Sequence, residues 1–230
     1  MKDTRDCHWP LGLAKPFVSH ERTERRDARE HRQQILEVAR CLFAEQGVHA
    51  VSMHQIAQKA GIGQGTLYRR YANKGELCMD LLRERHDRFA EEIAELATAV
   101  VAPALDRLEG ALKRTVAFLE DNEALLSPIA QTESGGWQCN TPVIAGHFAS
   151  QSSPMSWLHD LFAGLLNEAL AKGEIAPLDV TYTADAILFT LHPLFYRFQR
   201  LERGLSPEYI LQALCHLYIA GLKVPAGSAQ

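Results

Sequence analysis

Between Ala28 and Gly47 the apolar residues keep a helical interval. Ile35, Leu36, Ala39, Leu42 and Phe43 fall at i, i+1, i+4, i+7 and i+8. This spacing paints one apolar stripe along a helix, and such a stripe is stable only when another element covers it. The same texture returns in residues 105–126, 157–174, 179–204 and 206–222, with no convincing period-two alternation and no repeat of fixed length. The chain is therefore expected to be all-α, its helices burying one another's stripes.

Punctuation divides the first hundred residues. Residues 1–26 mix Pro, Arg, Glu and His without an apolar period and read as a mobile N-terminal arm. Gly47 stops the first helix, and Ser52 is a suitable N-cap for a short second helix running to Ala60. The sequence "AGIG" breaks that helix, and a third is expected over Gln64–Tyr71. Asn73 can cap a fourth, with Glu76 at its third position in the manner of a capping box. Leu77, Leu81 and Leu82 carry the apolar face of this long helix on toward Ile93 and Leu96. Residues 133–142 and 150–154 read as loops.

Charge narrows the partners. The chain totals −4, but residues 1–88 carry 16 Lys and Arg against 12 Asp and Glu, a balance of +4. Residues 89–230 carry 8 against 16, a balance of −8. Residues 46–75 hold Lys59, Arg69, Arg70 and Lys74 and no acid, so a polyanion would be drawn to this small segment and repelled by the rest.

On a helical wheel, Leu67 and Tyr71 point together toward the first two helices, while Gly65, Thr66, Tyr68 and Arg69 lie on the opposite arc with Arg70 at its margin. A helix of this length spans about 12 Å, which suits a major groove about 12 Å wide. Gly65 would let the backbone approach a duplex, and Thr66 offers a donor for phosphate or a methyl for thymine. Two short helices joined by a tight glycine-containing turn make a helix-turn-helix, and Lys74 adds a cation beside the free N–H groups that open the fourth helix.

The stretch "IAQKAGIGQGTLYRRYANKGEL" resembles the DNA-binding signature of the tetracycline-repressor (TetR) family, roughly I-A-x-x-A-G-V-S-x-G-x-[LI]-Y-x-H-F-x-x-K-x-x-L, and the likeness spans about residues 29–82. Carried across residue by residue, the resemblance implies that Gln64 and Gly65 approach base edges. Thr66 and Tyr68 would meet phosphate or sometimes base, Lys74 would hold phosphate, and His54 would reach DNA from the second helix. Ser52, Arg69 and Arg70 complete the expected DNA-binding set. Gly63 stands where the pattern has Ser, and Arg70 where it has His.

The resemblance also implies a larger C-terminal ligand-binding and dimerisation domain. The division expected is an arm over 1–26, a helix-turn-helix domain over 27–73, and a helical domain over 74–225 whose first part, 74–99, is a connecting helix. Apolar residues in 179–203 and 206–222 exceed what one helix pair needs, which suits a homodimer through the last two helices. Phe118, Trp137, Phe148, Trp157 and Phe162, interleaved with small residues, are candidate pocket walls for a lipophilic effector, with His147 and His192 as polar contacts. Pro193 should kink its helix.

Other functions find less support. The five cysteines form no metal-binding or disulfide pattern, so no metal and no cofactor are expected, and the thiols read as reduced and cytoplasmic. There is no apolar run long enough for a membrane span and no secretory leader. GxSxG, HExxH, P-loop and GxGxxG motifs are all missing, so catalysis is not expected. The expected function is that of a ligand-responsive repressor binding a palindromic operator. A helical small-molecule carrier without DNA function, and an architectural DNA-binding protein, remain the alternatives.

Overall fold

A computed structural model describes residues 26–99, 101–133 and 156–224. Every regular element among them is helical; a single isolated bridge joins Ile175 to Lys223. None of the described helices is long and apolar enough to cross a membrane.

Helix α1 (Arg26–Gln46) buries the stripe expected of it: Ile35, Leu36, Ala39, Leu42 and Phe43. Gly47, at φ +81°, takes the left-handed conformation that ends the helix without a Cβ penalty. Helix α2 (Met53–Lys59) opens on a complete capping box. Ser52 Oγ accepts from Gln55 N at 3.2 Å, and Gln55 Oε1 accepts from Ser52 N at 2.7 Å. Gly61, at φ +65°, turns the chain into α3 (Gln64–Arg70), which has only backbone at its N-cap, Gly63. The helix ends one residue short of the expected Tyr71, whose backbone is already extended.

Asn73 caps α4 (Lys74–Thr98), its side-chain oxygen accepting from Glu76 N at 2.9 Å. The reciprocal bond differs from the expected box. Glu76 accepts from Ala72 N, one residue before the cap, at 2.7 Å. With 25 residues, α4 extends roughly 37 Å and carries the stripe Leu82, His86, Phe89 and Ile93 into the core. After a short turn α5 (Ala104–Glu133) packs along α4. The Glu174 carboxylate receives the first two α5 amides, Ala104 N at 3.1 Å and Leu105 N at 3.0 Å. An anion there satisfies otherwise orphaned N–H groups at the positive end of the helix dipole.

Helices α6 (Ser156–Ala171), α7 (Val180–Thr190), α8 (Pro193–Arg197) and α9 (Pro207–Cys215) complete the fold. The single helix read over 179–203 is broken rather than bent. Leu191 closes α7, and the His192 ring caps α8 by accepting from Leu194 N at 3.3 Å, because Pro193 has no N–H to continue the ladder. Both final segments then widen into single π-helical turns, Phe198–Glu202 and His216–Ala220. One continuous apolar core runs from Ile35 to Ile219. The free thiols described are Cys41, exposed, Cys78, buried, and Cys215, half-buried.

Candidate nucleic-acid interface

Leu67 fixes α3 to the body of the molecule, since it is the one fully buried residue of that helix. Its burial turns the opposite arc outward. Gln64, Gly65 and Arg69 are exposed, Tyr68 is 48 % exposed, and Thr66 and Arg70 are half-buried. A Cβ placed on Gly65 would meet nothing within 4 Å. The small residue therefore leaves room for an external partner and relieves no internal crowding. Arg69 is drawn back along its own helix, donating to Gly65 O at 3.2 Å and Thr66 Oγ1 at 3.3 Å.

Helix α2 contributes His54 to the same surface. Its exposed ring is hydrogen-bonded through Nδ1 to Gln64 Nε2, so the first residue of α3 is tied to the second residue of α2. Ser52 is exposed but engaged as the α2 cap. Lys74 has a structural duty that the sequence did not indicate. Its ammonium donates to Val48 O at 2.8 Å and His49 O at 3.3 Å, closing the α1–α2 turn onto the start of α4. An ammonium has three donors, so one remains for a phosphate.

Behind this surface lies a group that sequence reading missed. The Asp80 side chain, 7 % exposed, receives both arms of Arg32 from α1, at 2.8 and 2.6 Å. It also receives the Tyr71 hydroxyl at 2.6 Å and Arg83 at 2.9 Å. Burial pulls this carboxyl upward, but the hydrogen bonds from Arg32 and Tyr71 and the charges of Arg83 and Arg32 prevail and hold its pKa below the usual carboxylate value. Burial, followed by its bond to Asp80, pushes the Tyr71 phenol well above its ordinary range. Nothing in the sequence signalled it, because Asp80 falls in a helical row with Glu76, Glu84 and Asp87 that reads as an ordinary solvated acidic face.

The expected pocket residues separate into three groups. Trp137, His147 and Phe148 lie outside the described residues. Phe118 and Trp157 share one buried cluster with two α4 residues not anticipated, His86 and Phe89. Phe89 stacks on Phe118 at 4.3 Å between centroids and meets Trp157 edge-on at 5.7 Å. Phe162 is buried on α6, and His192 serves as the α8 cap. An open groove of about 590 Å³ is elsewhere, between the α4–α5 turn and Lys172–Glu174. Its walls include Val101, Asp106 and Lys223 but none of these aromatic residues. No group of three or more metal-ligating side chains occurs among the described residues.

Known proteins carry the same arrangement. Residues 35–80 match the family described as "Bacterial regulatory proteins, tetR family". A helix-turn-helix-type transcriptional regulator of Staphylococcus aureus (strain USA300) is 31 % identical over 198 residues, covering 85 % of this chain and 96 % of that protein. The structure of the ketosteroid transcriptional regulator KstR2 of Mycobacterium tuberculosis superposes with a TM-score of 0.56 at 26 % identity, covering 84 % of this chain and 95 % of its own. FadR of Bacillus subtilis, solved with stearoyl-CoA, shares the fold at a TM-score of 0.56 and 22 % identity, covering 83 % of this chain and 98 % of its own. The relatives are regulators of transcription, which favours that duty over a carrier without DNA function. With a helix-turn-helix whose outward face is acid-free and a likeness that spans most of both chains, this protein belongs to the TetR family and is a DNA-binding transcriptional regulator.

Proposed function

We propose that this chain is a ligand-responsive repressor that binds a palindromic operator as a homodimer and leaves it when a lipophilic effector is bound. The reading surface is the outward arc of α3 with the start of α2. Gln64 and Gly65 would face base edges, Thr66, Tyr68, Arg69, Arg70 and Lys74 phosphates or flanking base, and His54 would hold Gln64 in register. Residues 27–73 form the reading head in this scheme and 74–225 the sensing and pairing domain, with α4 between them. The observation that carries it is the anchor at Leu67, which turns Gln64, Gly65, Tyr68 and Arg69 of an acid-free helix toward solvent.

Pairing through the last two helical segments is supported by the apolar side chains they leave in water. Tyr182 is 73 % exposed, Leu201 and Leu217 are each 58 % exposed, and Phe189, Phe198 and Tyr209 are also exposed. So many large apolar side chains left in water on two neighbouring segments suit an interface, and two reading heads one DNA turn apart need a twofold axis.

For the effector, the cluster of Phe89, Phe118 and Trp157 supplies apolar walls. Within it, among the described residues, neither the buried Trp157 indole N–H nor the buried Ser127 hydroxyl on α5 has a hydrogen-bond partner. A buried donor left unsatisfied costs about 1–3 kcal/mol, a penalty that an effector oxygen would remove. One neighbour is named a ketosteroid transcriptional regulator and another was solved with stearoyl-CoA, and ketosteroids and acyl thioesters are both lipophilic and oxygen-bearing. An effector that prefers a state with misspaced heads would release DNA by that difference in affinity alone.

The test is selection of bound duplexes from a random library, followed by challenge of the complex with lipophilic ketones and acyl thioesters. Enrichment of a palindrome that one such class dissolves is expected. Binding without sequence preference would instead indicate an architectural role.

A further inference from the structure

The short reading helix raises a mechanical question. Seven residues are too few for a helix to hold its own geometry in water, and Leu67 is a single point of attachment. One point lets a rod pivot, and a second is needed to set its direction. Tyr71 closes α3 as its C-cap, its ring is buried, and its hydroxyl reaches the Asp80 carboxylate at 2.6 Å. Asp80 is itself immobilised by the forked bond from Arg32 on α1 and by Arg83 one turn further along α4. Arg70 also hydrogen-bonds the Tyr71 hydroxyl. Where the TetR pattern has Phe, this chain has Tyr71, so the hydroxyl and the linkage it makes lie outside that pattern.

We propose that the Tyr71–Asp80–Arg32 linkage is the second attachment that sets the angle of α3 against α1 and α4, making Tyr71 and Asp80 positioning residues for sequence discrimination. Neither touches DNA. Phosphate attraction depends on net positive charge near the duplex and tolerates a small tilt, whereas a base-edge hydrogen bond is lost when donor and acceptor move by less than 1 Å. Loosening the linkage therefore lowers affinity for the preferred operator and leaves affinity for arbitrary duplex in place. Because Asp80 lies on α4, a movement of α4 reaches the reading helix through the same bond.

This inference rests on the DNA-reading role of α3. The probe is the duplex that wild-type protein selects from a random library, with a scrambled duplex of identical composition as control, both measured at one salt concentration. Tyr71→Phe keeps the ring and restores the pattern's residue, so the fold is retained. The expected result is at least a fivefold fall in the ratio of selected to scrambled affinity, with scrambled affinity within twofold of wild type. In an Asp80→Asn background the Tyr71→Phe change should produce little further loss, because the two groups act as one unit. An unchanged ratio in Tyr71→Phe, or equal falls on both duplexes tracking a drop in Tm, overturns the proposal. If wild-type protein enriches no duplex, the reading role itself fails first, and the two failures are thereby told apart.

Discussion

Gln64 and Tyr68 sit four positions apart on α3, yet they should fail differently. Tyr68 is half in water, so in the proposed complex its ring and hydroxyl are available to a DNA backbone. Tyr68→Ala is expected to weaken binding to all duplexes alike, by roughly tenfold, about 1.4 kcal/mol. Gln64→Ala should instead change which operator is preferred, since an amide facing a base edge carries about 1–3 kcal/mol of discrimination. Competition binding against single-position operator variants separates the two; uniform loss for Gln64→Ala would remove its base-reading role. Lys74 needs a different experiment, because its bonds to Val48 O and His49 O also close the α1–α2 turn. Lys74→Ala should lower both DNA affinity and Tm, visible when the gel shift and the thermal melt are run together. Sequence alone indicated the charge at Lys74 but not this second duty, since carbonyl partners 25 and 26 residues away leave no local pattern.

At the scale of the element, helix ends were the most legible features. Ser52 was expected as a cap, and the structure adds Gln55 to complete the box. Ser52→Ala should cost about 1 kcal/mol, measured as a lower urea midpoint. The helix over 179–203 was less legible. Its periodicity continues through His192 and Pro193, but a proline nitrogen cannot donate, and the chain restarts with a histidine cap. Asp80 gives the elements of the head a shared dependence on pH. Its folded pKa lies below the ordinary value of 3.8, so the stability it contributes is whole above that value and drains as pH falls through the folded pKa. Asp80→Asn should therefore be less stable than wild type at pH 7, and the gap should close below pH 3.8. Urea midpoints taken across pH 7 to 3 check this, and a gap that stays constant would remove Asp80 from the acid response.

For the whole molecule, the proposed pairing rests on the bare apolar side chains of the final segments. Leu201→Glu with Leu217→Glu places charge on two half-exposed apolar sites without touching the core. Light scattering after size exclusion is expected to show wild type as a dimer and the double variant as a monomer with retained helical content. A monomer cannot present two heads in phase, so its operator affinity should fall by at least 10²-fold, the loss of an effectively intramolecular second contact. The ion pairs that join α5 to the far end of the chain are also a property of the whole. Glu120 takes Arg200 in a forked bond and the Tyr196 hydroxyl, and Glu123 pairs with Arg197, across separations of more than 70 residues.

What the amino-acid order settled was whatever depends on residues within a turn or two of each other. It dictated the all-helical class, the stripe of α1, the stops at Gly47 and Gly61, the inward Leu67 and the family signature. Tertiary structure alone decided which distant groups meet. It brought Asp80 to Tyr71 and Arg32, His86 and Phe89 to Phe118 and Trp157, and Glu174 to the first amides of α5. The reason is physical. Periodicity and capping are set by backbone geometry over a few residues, whereas the meeting of groups 50 residues apart depends on how whole helices pack, and that packing minimises exposed apolar surface over the entire chain at once.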